Sequence, residues 1–119
     1  MPENSRQKLD TAAQAIFDKK GINILALDVK GVSSLTDYVL IAEGNVDRHV
    51  IAIAREVMDV LEKQGEKPLY VEGLQTGDWI VLDYLDYMIH IFMPGFRDKY
   101  RLEEIFRDGK IVDLKICHS

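Results

Sequence analysis

The chain has 119 residues, one cysteine and a net charge of −5, and 47% of its residues are hydrophobic. That length suits one domain around one core, and that composition excludes long disorder. The acidic balance argues against wrapping nucleic acid, whose affinity rests largely on Lys and Arg meeting phosphates, and favours an electropositive partner, of which ribosomal proteins are one class.

The first ten residues, MPENSRQKLD, carry acid and no apolar core, unlike a secretory or transit segment. No apolar run approaches the roughly 18 residues of a membrane span. A lone Cys117 excludes an internal disulfide and fits a reducing cytoplasm. Residues 5–20 read as a helix, with Leu9, Ala12, Ala13, Ile16 and Phe17 on one stripe and Gly21 as the left-handed residue that ends it. Residues 22–29 are a short strand, and the polar run 30–37 is a turn region. YVLIA, 38–42, is a continuous apolar run, expected to be a central strand covered on both faces. Asn45 is the N-cap candidate for a helix reaching residue 64, whose stripe is Val50, Ile53, Ala54, Val57, Val60 and Leu61. Gly65 stops it. Residues 68–72 form a third short strand, and 73–77 a turn.

A hairpin follows, with strands at 79–84 and 87–92 and Leu85–Asp86 as its turn. A two-residue loop sets Tyr84 opposite Tyr87, Leu82 opposite Ile89 and Ile80 opposite Ile91 on one apolar face. The other face pairs Asp83 with Met88, Val81 with His90 and Trp79 with Phe92. It mixes the only Trp with apolar groups, an acid and an imidazole. That is neither a solvated strand face nor a plain core face, and it suits a partner: aromatic anchors with a few orienting polar groups. Pro94–Gly95 then breaks the chain, 96–107 reads as a third helix bearing Tyr100, Leu102, Ile105 and Phe106, and 111–116 is a last apolar segment. The whole gives one α+β domain, 1–119, with a mixed sheet of five to six strands and helices on it. The first two helices should cover the face holding Ile80, Leu82, Ile89 and Ile91.

Several residues invite chemistry. Asp83 and His90 sit diagonally on one face, as the orienting half of a catalytic site or as a structural hydrogen bond. No nucleophile is placed to join them; Ser33 and Ser34 lie in the turn region. Asp37, Asp83 and Asp86 raise a metal-dependent nucleotidyltransferase, which needs carboxylates converging on one point. Asp83 and Asp86 are three apart across a turn, and no paired acids follow Gly44–Asn45. Arg48–His49 opens the second helix as a specific contact or a solvated first turn. Cys117–His118 is too short for a zinc motif and reads as a frayed tail. Gly73 and Gly77 lack the Lys–Ser/Thr of a phosphate loop and mark a turn. No metal and no cofactor is implied.

Three pieces then align with one family. They are SSLTDYVLIAEGNVDRHVIAIAREV at 33–57, the Glu72–Gly73 pair followed by GDWIVLDY, and DYMIHIF followed by RDKYRLE. In order and spacing they resemble the ribosomal silencing factor S, or Iojap, family across nearly the whole chain. The resemblance implies a nucleotidyltransferase-like architecture without that activity. It implies a cytoplasmic, non-catalytic translational repressor that binds ribosomal protein fourteen of the large subunit at the intersubunit face and blocks the small subunit from joining. It also implies a homodimer when free, with no sequence-specific nucleic-acid contact and no membrane. It turns the mixed hairpin face into the expected partner surface: Trp79, Val81, Asp83, Met88, His90 and Phe92. The family commonly has Gly before the acid of the hairpin turn, where this chain has Leu85. Leu tolerates a positive φ poorly, so a wider loop is expected here.

Overall fold

The computed structural model describes residues 2–96 and 107–117. The elements run α1 (Pro2–Asp18), β1 (Ile22–Asp28), β2 (Tyr38–Glu43), α2 (Asp47–Lys63), β3 (Tyr70–Glu72), β4 (Trp79–Asp83), β5 (Tyr87–Phe92) and β6 (Lys110–Ile111). The strands form one six-stranded mixed sheet, ordered β3-β4-β5-β2-β1-β6. Among the described strands, β2 and β5 pair in parallel and the other neighbours are antiparallel. The sheet is therefore mixed and α+β, as the pattern of segments implies. The expected helix at 96–107 falls on residues 97–106, outside the described residues.

Both helices cover one face. Leu9, Ala12, Ala13 and Ile16 of α1 and Val50, Ile53, Ala54, Val57 and Leu61 of α2 are buried against Leu40, Ile80, Leu82, Ile89 and Ile91. Helical and strand periodicities bring these stripes together, and their burial supplies the main driving force for folding. The central strand β2 is buried along YVLIA because its other face packs too, through Val39 and Ile41 beside Leu27, Val29 and Phe92.

The first helix runs from Pro2 to Asp18 rather than over 5–20, and two helix ends are built differently from expectation. At the end of α1 the left-handed residue is Lys20, at φ 68, not Gly21. Gly21 N–H reaches the Ile16 carbonyl at 2.8 Å and Lys20 N–H the Phe17 carbonyl at 2.9 Å, the paired bonds of a Schellman end. Gly21 serves close packing instead, since a Cβ there would lie 2.3 Å from Ile16 Cγ2. At the start of α2 the N-cap is Val46, with no side-chain cap, not Asn45. The Asn45 N–H is taken by His49 Nδ1 at 2.8 Å. Gly65, at φ 84, ends α2 as expected.

The tail is not frayed through residue 117. After β6, Val112, Leu114 and Ile116 pack on the helix-side core. The alternate residues are tied to α1: Arg6 donates to the Asp113 carbonyl, Lys115 N–H to Asp10 at 3.0 Å, and Cys117 N–H to Gln14 at 2.7 Å. The match is geometric. Two extended residues advance about 6.6 Å and four helical residues about 6.0 Å, so a strand alongside a helix keeps register.

Candidate functional site: the outer face of the hairpin

The β4–β5 register is the one the alternation implies: Trp79 faces Phe92, Val81 faces His90 and Asp83 faces Met88. The two-residue loop survives, so the expectation of a wider loop is corrected. Leu85 accepts φ 77. Its strain is held from several sides. Asp86 N–H donates to the Tyr84 carbonyl at 3.0 Å, closing a γ-turn centred on Leu85. Leu85 N–H donates to Asp83 Oδ1 at 2.9 Å. Asp37 N–H, just ahead of β2, donates to the Asp86 carbonyl at 3.0 Å.

Neighbouring strands extend the outer face into rows. Tyr70 of β3 stands beside Asp83, Met88 and then Val39. Glu72 stands beside Val81, His90 and then Ile41. These neighbours decide exposure. Trp79, Val81, Asp83 and Met88 are partly exposed, whereas His90 is 6% and Phe92 0% exposed. Phe92 and His90, expected on the partner surface, lie beneath it in this chain and shape it from below. Three rings stack there, with Trp79 and Phe92 centroids 5.3 Å apart and Trp79 and His90 5.9 Å apart.

Trp79 Nε1–H donates to His90 Nδ1 at 3.0 Å, which places the imidazole proton on Nε2. Burial pulls the His90 pKa down to about 4, with Asp83 pulling weakly the other way. The imidazole is neutral at pH 7 and sets the indole's orientation. The diagonal Asp83–His90 hydrogen bond is not formed among the described residues; Asp83 serves the turn and His90 serves Trp79.

A sequence profile described as "Ribosomal silencing factor during starvation" matches residues 2–118. The chain belongs to this family of ribosomal silencing factors. It is 39% identical over 111 residues to the ribosomal silencing factor RsfS of Bacillus subtilis, covering 93% of this chain and 94% of that one. A solved protein structure from Chromobacterium violaceum superposes with a TM-score of 0.81 at 29% identity, covering 96% of this chain and 95% of that one. A more distant relative is the mouse "Mitochondrial assembly of ribosomal large subunit protein 1", 24% identical over 101 residues that cover 82% of this chain and 44% of the mouse protein.

The silencing-factor description is that of a translation regulator. The structure also places the remaining candidates. His49 bridges the Asn45 N–H and the Lys19 carbonyl, the latter at 2.7 Å, tying α2 to the end of α1. Arg48 is exposed at the start of α2. Among the described residues, no three of His, Cys, Asp and Glu are grouped to hold a metal ion, and no helix is long and apolar enough to cross a membrane. Sequence reasoning missed Glu72, Thr76 and Asp78, which line a cavity with Gly73, Trp79, Val81 and Phe96. The glycine pair flanking this stretch was the available signal, read only as a turn.

Proposed function

We propose that this silencing factor binds the large ribosomal subunit through its ribosomal protein fourteen, at the intersubunit face, and keeps the small subunit off by occupying space. The observation that carries the reading is the outer hairpin face. Its partly exposed Trp79, Val81, Asp83 and Met88 form a surface backed by the buried His90 and Phe92. A rigid aromatic anchor with an apolar surround and an acid at its edge has the anatomy of a protein-binding hot spot. The family description and the mouse relative's printed name both support a ribosomal setting, the latter a large-subunit one. A body about 33 × 32 × 30 Å is bulky enough to obstruct a subunit joint without any motor or switch. The action is non-catalytic and cytoplasmic, with no cofactor. A second copy of the chain covers the same face when no ribosome is present, because exposed apolar surface is costly in water.

Co-sedimentation tests this reading. Wild type should pellet with isolated large subunits and not with small ones. Val81→Arg, which sets a cation against a basic partner, should weaken binding at least about tenfold, or ~1.4 kcal/mol. Equal pelleting with both subunits, or an unaffected Val81→Arg, contradicts the reading. Sedimentation of the free protein as a monomer at every concentration contradicts the dimer.

A further inference from the structure

Beside Trp79 the sheet surface opens into a cavity of about 310 Å³, lined by Glu72, Gly73, Thr76, Asp78, Trp79, Val81 and Phe96. Its walls are built in. Gly73 sits at φ 90, and a Cβ on it would lie 2.0 Å from the Trp79 carbonyl oxygen. Gly77 sits at φ 77, and a Cβ on it would lie 2.7 Å from the Asp47 carbonyl oxygen. The turn between them is closed by the Gly77 N–H on the Gly73 carbonyl at 2.9 Å. It is therefore pressed between β4 and the start of α2, with no room on either side. The indole wall is fixed as well, by its hydrogen bond to His90 and its stack on Phe92.

The lining has one chemistry. Two carboxylates and a hydroxyl share the cavity with two aromatic rings. Filling it with a neutral or anionic side chain would strip water from Glu72 and Asp78 with no counter-charge. A cation satisfies both components, pairing with the carboxylates and lying against the rings. Among cations, a guanidinium is flat, weakly hydrated and rich in donors, and it stacks on aromatic faces better than an ammonium. We propose that this cavity is a socket for one arginine side chain of the protein partner. The inference rests on the hairpin face being the docking surface, with which the socket is continuous through Trp79 and Val81. The socket would set orientation and register, while the apolar surface beside it supplies contact area.

The test separates the two readings. Glu72→Gln combined with Asp78→Asn keeps shape and removes charge, and Met88→Arg disturbs the docking face away from the cavity. The double variant should lose at least about tenfold in large-subunit binding at low salt, and its affinity should depend less on salt than that of wild type. In parallel, N-acetyl-arginine amide, but not the citrulline equivalent, should shift the emission of Trp79, the only tryptophan in the chain. The double variant should show no such shift. If the double variant binds large subunits as wild type does while Met88→Arg does not, the docking face stands and the socket is overturned. If neither variant loses binding, both fall. Equal responses to arginine and citrulline amides also overturn the socket.

Discussion

The indole of Trp79 donates its N–H to Nδ1 of His90 at 3.0 Å, across the β4–β5 pair. The bond needs an unprotonated Nδ1, and burial already holds the His90 pKa down at about 4. Above the ordinary value of 6.5, folded and unfolded chains both carry a neutral His90, and its contribution to stability is complete. Between 6.5 and about 4 the unfolded chain takes up a proton that the folded chain refuses. Stability therefore falls with falling pH across that window, by up to ~1.4 kcal/mol per pH unit. Urea unfolding at several pH values should show this slope. His90→Gln, which can still accept from Trp79 but does not titrate, should be flatter over the same range. Parallel profiles would contradict the assignment.

Leu85 carries its side chain at φ 77 and is 59% exposed. A left-handed conformation costs a non-glycine residue about 1–2 kcal/mol, while glycine's added chain entropy costs about 0.5–1. Leu85→Gly should therefore stabilise the fold by about 0.5–1 kcal/mol, seen as a higher urea midpoint. Leu85→Val, branched at Cβ, should lower it.

The hairpin illustrates what local pattern can and cannot convey. The alternation from Trp79 to Phe92 determines which residues share a face, and the structure keeps that register. The fate of the outer face was not readable from the hairpin. Met88, His90 and Phe92 lie on the strand that pairs with β2, and Val39 and Ile41, the β2 partners of Met88 and His90, are each 49 positions from them. Such neighbours are supplied by topology, so two of the six expected contacts, His90 and Phe92, proved to be interior.

The tail is a second case. Alternation at Val112, Leu114 and Ile116 was visible, but its seat was not, because Arg6, Asp10 and Gln14 look like a solvated helix face. Gln14 makes two bonds to Cys117, accepting from its N–H at 2.7 Å and donating to its carbonyl at 3.2 Å. Gln14→Ala should cost about 1 kcal/mol. It should also speed amide exchange at Cys117 at least tenfold more than in β5. Unchanged exchange at Cys117 would show that the strap does not depend on this side chain.

Helix capping is a third case. Asn45 has the right chemistry for a cap, yet the cap position falls one residue later, on Val46, which makes no side-chain cap bond. His49 instead forms a bridge, accepting from the Asn45 N–H and reaching the Lys19 carbonyl 30 positions away. The same bridge identifies the functional candidate Arg48–His49 as half structural: His49 is occupied within the fold, and Arg48 is the exposed member.

The most direct test of the central claim is a subunit-joining assay with Met88→Arg. Met88 is partly exposed and lies between Asp83 and Val39 in an outer row of the sheet. Trp79→Ala is a poorer probe, because it would leave the buried His90 without its donor. Purified small and large subunits are mixed at the magnesium concentration at which they join, and joining is followed by light scattering. Wild-type protein, preincubated with large subunits, should suppress joining in proportion to its occupancy. Met88→Arg, shown by circular dichroism to be folded, should need at least about thirtyfold more protein for the same suppression, corresponding to the ~2 kcal/mol of a hot-spot loss. Suppression by Met88→Arg at wild-type concentrations would show that the outer hairpin face is not the surface that meets the ribosome.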